Sequence, residues 1–498
     1  MLIAARLKPA GLYETVHEII RMAYPGGKLT LEQDMWQPAE VHFTMELTEQ
    51  NGIWHLYGQI ESNKPATNRT ATYSPADGGA GSALKQLKID IKIFCLQLLR
   101  EHLDSKISSY GILTGVRPVK IVHRWLDQGY SRQLIVKNLK TEFLVDEAKA
   151  ELLAEVAENN RSYLPVMQEG GGDVSIYIGI PYCPSRCYYC SFPGAVLNNY
   201  VSDIRPFMDN LSREMNAIGN YVNDAGLKVH TVYIGGGTPT VLDIRDLGLI
   251  FEILENKFTL CQAEEITVEA GRPDTLTPDK LNLFKDAGVT RICINPQTMK
   301  ESTLALIGRR HSVQQVMQAA DLVRRVGIKH MNMDLIIGLP EEKVKDNLDS
   351  LEQVLKLKPD NITIHTLALK RGSPMALDGE ETGLPRQAAE KVEESLENIY
   401  QRLRQLNYLP YYLYRQKNTQ ANTENIGYSL KGSFCIYNIR MIEERQTIIG
   451  MGGGAGSKFI DSRLGTVTGF YNPKNPAVYC AEVDRLIKRK VDNLRALN

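Results

Sequence analysis

Between about Val174 and Ala368 short β-branched runs alternate with longer helical patterns, and few folds accommodate that rhythm. Such alternation builds βαβ units, in which parallel strands lie side by side under covering helices. The runs Ser175–Ile180, Thr231–Ile234, Glu265–Glu269, Arg291–Asn295, His330–Ile336 and Asn361–Thr366 are the expected strands. Six of them suit an α/β fold, a partial six-stranded (β/α)6 barrel whose chemistry sits where strands end and loops begin.

The chain is longer than one ordinary domain, at 498 residues, so the barrel needs neighbours. The expected division is an N-terminal α+β and helical domain at 1–168, the core at 169–378, and a C-terminal domain at 379–498 that helps form the substrate site. Asn63–Ser82, rich in small and polar residues, reads as a loop or linker. Lys85–Leu164 reads as helical, with Pro118 near a helix start and Gly129 near its end. Gln168–Gly172 separates this region from the core, and Arg386–Leu406 reads as a helix before a Tyr-rich and then Gly-rich tail. Positive and negative residues balance at 58 each, which argues against bulk attraction to nucleic acid or an anionic membrane. Neither a transmembrane run nor a secretory signal is apparent, so a cytoplasmic location is expected; a monomer is the separate expectation for its assembly.

Three of the eight cysteines stand together in Tyr182-Cys183-Pro184-Ser185-Arg186-Cys187-Tyr188-Tyr189-Cys190. Cys95, Cys261, Cys293, Cys435 and Cys480 are scattered singly and suggest no disulfide framework. A buried thiol trio is the plain alternative, since free Cys is often buried. Pro184, Ser185 and Arg186 make the segment a polar loop instead, directly after a strand. Zinc normally takes a fourth Cys or His, and none follows within about thirty residues. Thiolates are the usual protein ligands of iron–sulfur clusters, and three of them leave one iron of a [4Fe-4S] cubane open.

C-x3-C-x2-C with an aromatic before the last Cys resembles the signature of radical S-adenosylmethionine (SAM) enzymes. That resemblance implies a [4Fe-4S] cluster on Cys183, Cys187 and Cys190, SAM on the open iron, and a 5′-deoxyadenosyl radical made with one electron from a reducing donor. Tyr233-Ile234-Gly235-Gly236-Gly237-Thr238 ends the second strand, and its glycines let backbone approach a ligand closely. Glu269, Gln297, Arg309 and Asp334 follow in order along the later strands and loops. Arg is well shaped for a carboxylate.

This order closely resembles the coproporphyrinogen III oxidase-like branch of the family, from about Val174 to Ser457. The likeness implies that Tyr177 lies near SAM and substrate, that the Tyr189 backbone meets adenine, and that Gly236, Gly237 and Thr238 bind the SAM amino group. It assigns the remaining SAM contacts to Glu269, Gln297, Arg309, Asp334 and Ala368. Tyr177–Cys183, Glu269–Asp274, Ile294–Met299, Tyr412–Asn418 and Tyr110–Pro118 are most similar to the HemZ-type coproporphyrinogen dehydrogenases. Two departures stand out: Phe192 where typical oxidases carry a further Cys, and Gly179 where they carry His. The implied reaction is oxidative decarboxylation of coproporphyrinogen III to protoporphyrinogen IX. A haem-binding chaperone of the same branch, or a radical SAM enzyme with another substrate, is the alternative. Arg415, Lys417 and Asn418 are candidates to grip the substrate's propionates, with a solvated basic turn as the equal alternative. Glu443, Glu444 and Gln446 precede the Gly452–Gly456 run, which closes over the SAM site or simply makes a tight turn.

Overall fold

The computed structural model describes the chain apart from residues 33–37, 75–79, 166–172, 192–193, 261–262, 369, 371, 378–385, 417–418, 420–421, 462 and 498. Lys417, Asn418, Phe192, Cys261 and the Gln168–Gly172 separator thus lie outside the described residues. Two compact units emerge: Met1–Glu155 with Glu380–Glu390 and Arg415–Thr423, and Val156–Gly379 with Lys391–Tyr414 and Glu424–Asn498. Among the described residues no helix is long and apolar enough to cross a membrane.

In the first unit β1 (Leu2–Lys8), β2 (Lys28–Leu31), β3 (Val41–Gln50), β4 (Ile53–Glu61) and β5 (Thr67–Tyr73) form a sheet in the order β2-β1-β3-β4-β5. Asn51 and Gly52, at φ of 53° and 77°, join β3 to β4 by a two-residue turn whose twist matches its strands. Helix Ala80–Leu103 packs on β4 so closely that a Cβ at Gly58 would come within 2.7 Å of Phe94 and Leu98. Part of Asn63–Ser82, expected as a loop, is the strand β5. Its Thr-rich sequence alternates between exposed and half-buried positions, which suits a sheet edge without any large aliphatic residue.

The second unit is built on β6 (Asp173–Ile180), the short pair β7 (Tyr182–Cys183) and β8 (Ala195–Val196), β9 (Lys228–Gly236), β10 (Glu265–Glu269), β11 (Arg291–Gln297), β12 (His330–Ile337) and β13 (Asn361–Thr366). All six expected strands form, and β6-β9-β10-β11-β12-β13 are neighbours in parallel. The later chain adds β14 (Leu409–Arg415), β15 (Glu424–Ser429), β16 (Thr447–Gly452), β17 (Gly456–Asp461) and β18 (Thr466–Tyr471). β15 pairs antiparallel with β13 and β16 pairs parallel with β6, so the tail extends both sides of an open eleven-stranded sheet that ends at β14 and β18. Side-chain caps start several covering helices: Asn199, Asp243, Thr277 and Ser312 each accept a backbone N–H of the first turn, a local stop-start signal typical of these residues.

Alternation along the parallel strands separates two faces. Ile176, Ile178, Val232, Ile234, Val268, Ile292, Ile294, Met331, Met333, Ile362 and Ile364 are buried on one. The other carries Ser175, Tyr177, Thr231, Tyr233, Glu265, Glu269, Arg291, Asn332, Asp334 and Thr363, linked to one another by hydrogen bonds and ring contacts. Barrel interiors are usually filled with branched apolar side chains. A polar interior of this kind marks a site.

Candidate active site

The cysteine loop leaves β7 and returns to β8, which pairs parallel with it at Tyr182–Ala195 and Cys183–Val196. Cys183 and Cys187 are buried and Cys190 is half-buried. The Cys190 N–H donates to the Cys187 carbonyl at 3.1 Å, closing a turn. Burial pushes the Cys183 thiol up to about 11, while the Thr238 hydroxyl, 3.4 Å from its Sγ, works the other way. Metal binding overrides such a cost, because a coordinating thiol is deprotonated outright. Among the described residues no three Cys, His, Asp or Glu side chains converge on a single ion. Three thiol donors on one loop fit an iron–sulfur cluster, whose usual protein ligands are Cys thiolates.

The glycine-rich end of β9 lies against this loop. The Gly237 N–H donates to the Ile180 carbonyl at 2.7 Å and the Thr238 N–H to the Tyr182 carbonyl at 2.8 Å. A Cβ at Gly237 would stand 2.4 Å from the Tyr182 oxygen and 3.1 Å from Cys183 Sγ. Gly236, at φ of 114°, donates its N–H to Glu269 at 3.2 Å, and the Tyr233 hydroxyl donates to the same carboxylate at 2.6 Å. Thus Gly236, Gly237, Thr238 and Glu269 meet beside Cys183.

Arg309 reaches back from the segment after β11. Its Nη1 donates to the Gly271 and Asn295 carbonyls, each at 2.7 Å, and its Nη2 to the Tyr189 hydroxyl at 3.3 Å. Gln297 sits at φ of 71° where the β11–β12 register shifts. Its Oε1 is buried without a partner, as are Asn295 Oδ1, Arg309 Nε and Arg272 Nη1. Each such atom costs about 1–3 kcal/mol if left unmet. Donors and acceptors gathered at one strand end fit a zwitterionic ligand such as the methionine part of SAM. His311 adds no charge: burial, with Arg309 and Arg272 beside it, pushes its imidazole down to about 3.

Asp334, on β12, accepts from Asn332 at 2.7 Å and lies 3.5 Å from His365 Nε2. His365 Nδ1 is 3.3 Å from the Tyr414 hydroxyl. Ala368 follows β13, half-buried, next to Leu367, whose N–H donates to the Ile337 carbonyl. Tyr177 stacks on Tyr233 and Tyr437 with centroids 6.0 and 6.1 Å apart, and Tyr233 on Tyr437 at 4.6 Å. Tyr437 has no counterpart in the sequence reading. It enters because Glu265 holds the start of its helix, accepting the Ile436 and Tyr437 N–H groups at 3.0 and 3.2 Å.

Other expectations are revised. Arg415 is buried in the first unit, donates to the Leu113 and Asn422 carbonyls and lies 4.4 Å over the Tyr110 ring, contacts that pack it and differ from the expected solvated turn. Gln446 accepts from Ser175 at 2.7 Å, Glu444 pairs with Lys458 at 3.0 Å, and Glu443 accepts from Asn160. The Gly452–Gly456 run is a turn between β16 and β17 that packs behind the cysteine loop: a Cβ at Gly453 would stand 2.5 Å from Pro181. It also explains Gly179, where any Cβ would lie 2.6 Å from the Gly453 oxygen, leaving no room for His.

The radical SAM superfamily matches residues 177–354. The oxygen-independent coproporphyrinogen-III oxidase-like protein HemZ of Bacillus subtilis (strain 168) is 38% identical over 462 residues, 93% of this chain and 91% of that protein. Heme chaperone HemW of Escherichia coli (strain K12) is 31% identical over 304 residues, 60% of this chain and 75% of that one. Coproporphyrinogen III oxidase (HemN) from Escherichia coli, a radical SAM enzyme, superposes with a TM-score of 0.52 at 20% identity, covering 65% of this chain and 71% of that chain, which speaks to the fold. Fold, cysteine loop and glycine-rich strand end define a radical SAM protein, a class that uses a [4Fe-4S] cluster and SAM. Within that class the chain belongs to the family of the coproporphyrinogen-III oxidase-like HemZ protein.

Proposed function

We propose that this chain carries out the oxygen-independent oxidative decarboxylation of coproporphyrinogen III to protoporphyrinogen IX. The observation that carries the proposal is likeness along 93% of the chain to the coproporphyrinogen-III oxidase-like relative, against 60% for the chaperone. When bound, the cluster and SAM supply a 5′-deoxyadenosyl radical able to take a hydrogen atom from a propionate carbon. The propionate then loses one electron to an acceptor and releases CO2, leaving a vinyl group.

Cys183, Cys187 and Cys190 would hold the cluster. Gly236, Gly237 and Thr238 present backbone to the SAM amino group, Arg309 Nε and Gln297 Oε1 offer the unmet polar atoms for its methionine part, and Glu269 and Asp334 offer acceptors for ribose hydroxyls. Tyr189 and Ala368 border adenine in this reading. The stacked Tyr177, Tyr233 and Tyr437 line the polar interior with rings that exclude water from the reacting carbon. Because Tyr437 and Tyr411–Tyr414 come from the tail, residues 379–498 help to form the substrate site. The reading places the protein in the cytoplasm, as a monomer served by a separate electron donor, with 1–168 as a front domain.

The test is anaerobic. Reconstituted protein receives a chemical reductant, SAM and coproporphyrinogen III, and 5′-deoxyadenosine and porphyrin products are followed by mass spectrometry. Successive loss of two carboxyl groups, abolished in Cys187→Ala, is expected. Deoxyadenosine without a porphyrin product overturns the substrate, and haem binding with neither product identifies a chaperone like HemW.

A further inference from the structure

Arg272 lies in the turn after β10 and is 2% exposed. Its Nη2 points into the cysteine loop, donating to the Ser185 carbonyl at 2.9 Å, the Ser185 hydroxyl at 3.0 Å and Cys187 Sγ at 3.1 Å. Two hydrogens on that nitrogen thus face three acceptors, one of them a cluster sulfur. Clamping the loop would need only the carbonyl. A guanidinium aimed at a sulfur does something further.

We infer that Arg272 donates a hydrogen bond to the cluster through Cys187 and sets its reduction potential. The inference rests on Cys183, Cys187 and Cys190 holding a [4Fe-4S] cluster. One electron taken up from a low-potential donor adds negative charge that spreads onto the ligand sulfurs. A fixed cation with an N–H on one of them stabilises the reduced form more than the oxidised form and raises the potential; hydrogen bonds to sulfur and outer contacts are recognised levers on such clusters. Burial keeps the effect from being screened by salt. Arg suits the position better than Lys, because its planar guanidinium is pre-organised, is more weakly hydrated than an ammonium and so costs less to bury, and keeps its charge there. Cys183 has a neutral counterpart in the Thr238 hydroxyl at 3.4 Å, so Arg272 is the charged member of the pair.

The experiment compares the reconstituted full-length protein with its Arg272→Gln and Arg272→Lys variants by iron and sulfide content and by a potential titration monitored by electron paramagnetic resonance. Arg272→Gln is expected to cut the reduced-to-oxidised ratio at fixed potential at least tenfold, about 59 mV for one electron, and Arg272→Lys to cut it less. A fully loaded Gln variant with the wild-type midpoint overturns the assignment. Should that variant not take up iron, Ser185→Ala decides. The hydroxyl competes for the same hydrogens, so its loss raises the potential, and an unchanged value overturns the inference. Failure of the wild-type protein to assemble any [4Fe-4S] cluster would instead refute the cofactor reading itself.

Discussion

Replacing Glu269 by Gln is expected to stabilise the cluster-free protein at pH 8 while weakening its hold on SAM. Burial, with the charge of Asp334 nearby, pushes the Glu269 carboxyl from 4.5 up to about 7, against the hydrogen bonds of Tyr233 and Gly236 that favour its ionised form. The folded chain therefore binds this proton more tightly than the unfolded chain, so stability falls as pH rises from about 4.5 to about 7. At about 1.4 kcal/mol per pH unit, ionised Glu269 costs the folded state ~3 kcal/mol above that window and nothing below it. Gln removes that cost, and the hydrogen bonds of Tyr233 and Gly236 to the ionised carboxylate are already contained in the shift. The net expectation is a gain of about 3 kcal/mol at pH 8 and about zero at pH 4.5.

Scanning calorimetry of wild type and variant at both pH values measures this directly. A melting temperature a few degrees higher at pH 8, with no difference at pH 4.5, is the expected pattern. A difference independent of pH, or a variant less stable at pH 8, refutes the reasoning. SAM affinity should move the opposite way, falling about tenfold as a charge-assisted acceptor is lost. Such opposition is common at sites that hold strain for function.

Two further outcomes follow from the geometry. Lys490 and Glu214 form a fully buried pair at 2.6 Å, with Asn472, Tyr479 and the Gly452 N–H on the same carboxylate; Lys490→Met should cost about 3 kcal/mol in urea unfolding, because the charge left behind keeps only neutral donors. Gly237→Ala must displace Tyr182 or Cys183, so SAM cleavage should fall on the order of a hundredfold, with lower iron content, while the far-UV spectrum stays unchanged.

How much was legible in the sequence depended on range. β10 and β13 match their expected bounds residue for residue, and the other four parallel strands extend theirs by one to five residues in all, because period-two burial is written locally. β15 on β13 and β16 on β6 were not legible: their partners lie far away along the chain, and nothing in a six-residue run such as Thr447–Gly452 specifies a neighbour. Tyr437 was hidden for the same reason, being carried in by Glu265 from a distant strand. Arg415 shows the converse. A basic residue beside tyrosines reads equally as a ligand for an anion or as part of a solvated turn; Arg415 is instead buried, over the ring of Tyr110 and on two carbonyls. Gly179 and the Gly452–Gly456 run explain each other once they are seen in contact.

The polar face of the parallel strands identifies its functional end without reference to any relative. Toward the start of the strands, Glu265 serves Arg291, Cys435 and two backbone N–H groups at once, and Arg291 also donates to Asn361 and to the Ser433 and Phe434 carbonyls, leaving only Nε unmet. That layer is a closed structural joint, holding the tail segment 433–437 against the sheet. Toward the strand ends, Asn295, Gln297, Arg309 and Arg272 each keep an unmet buried atom, and Glu269 holds its proton near neutrality. Buried polar groups in native proteins are nearly always partnered. Four residues with unmet buried atoms gathered at the strand ends therefore point to a ligand beside the cysteine loop, where barrels of this kind carry their chemistry.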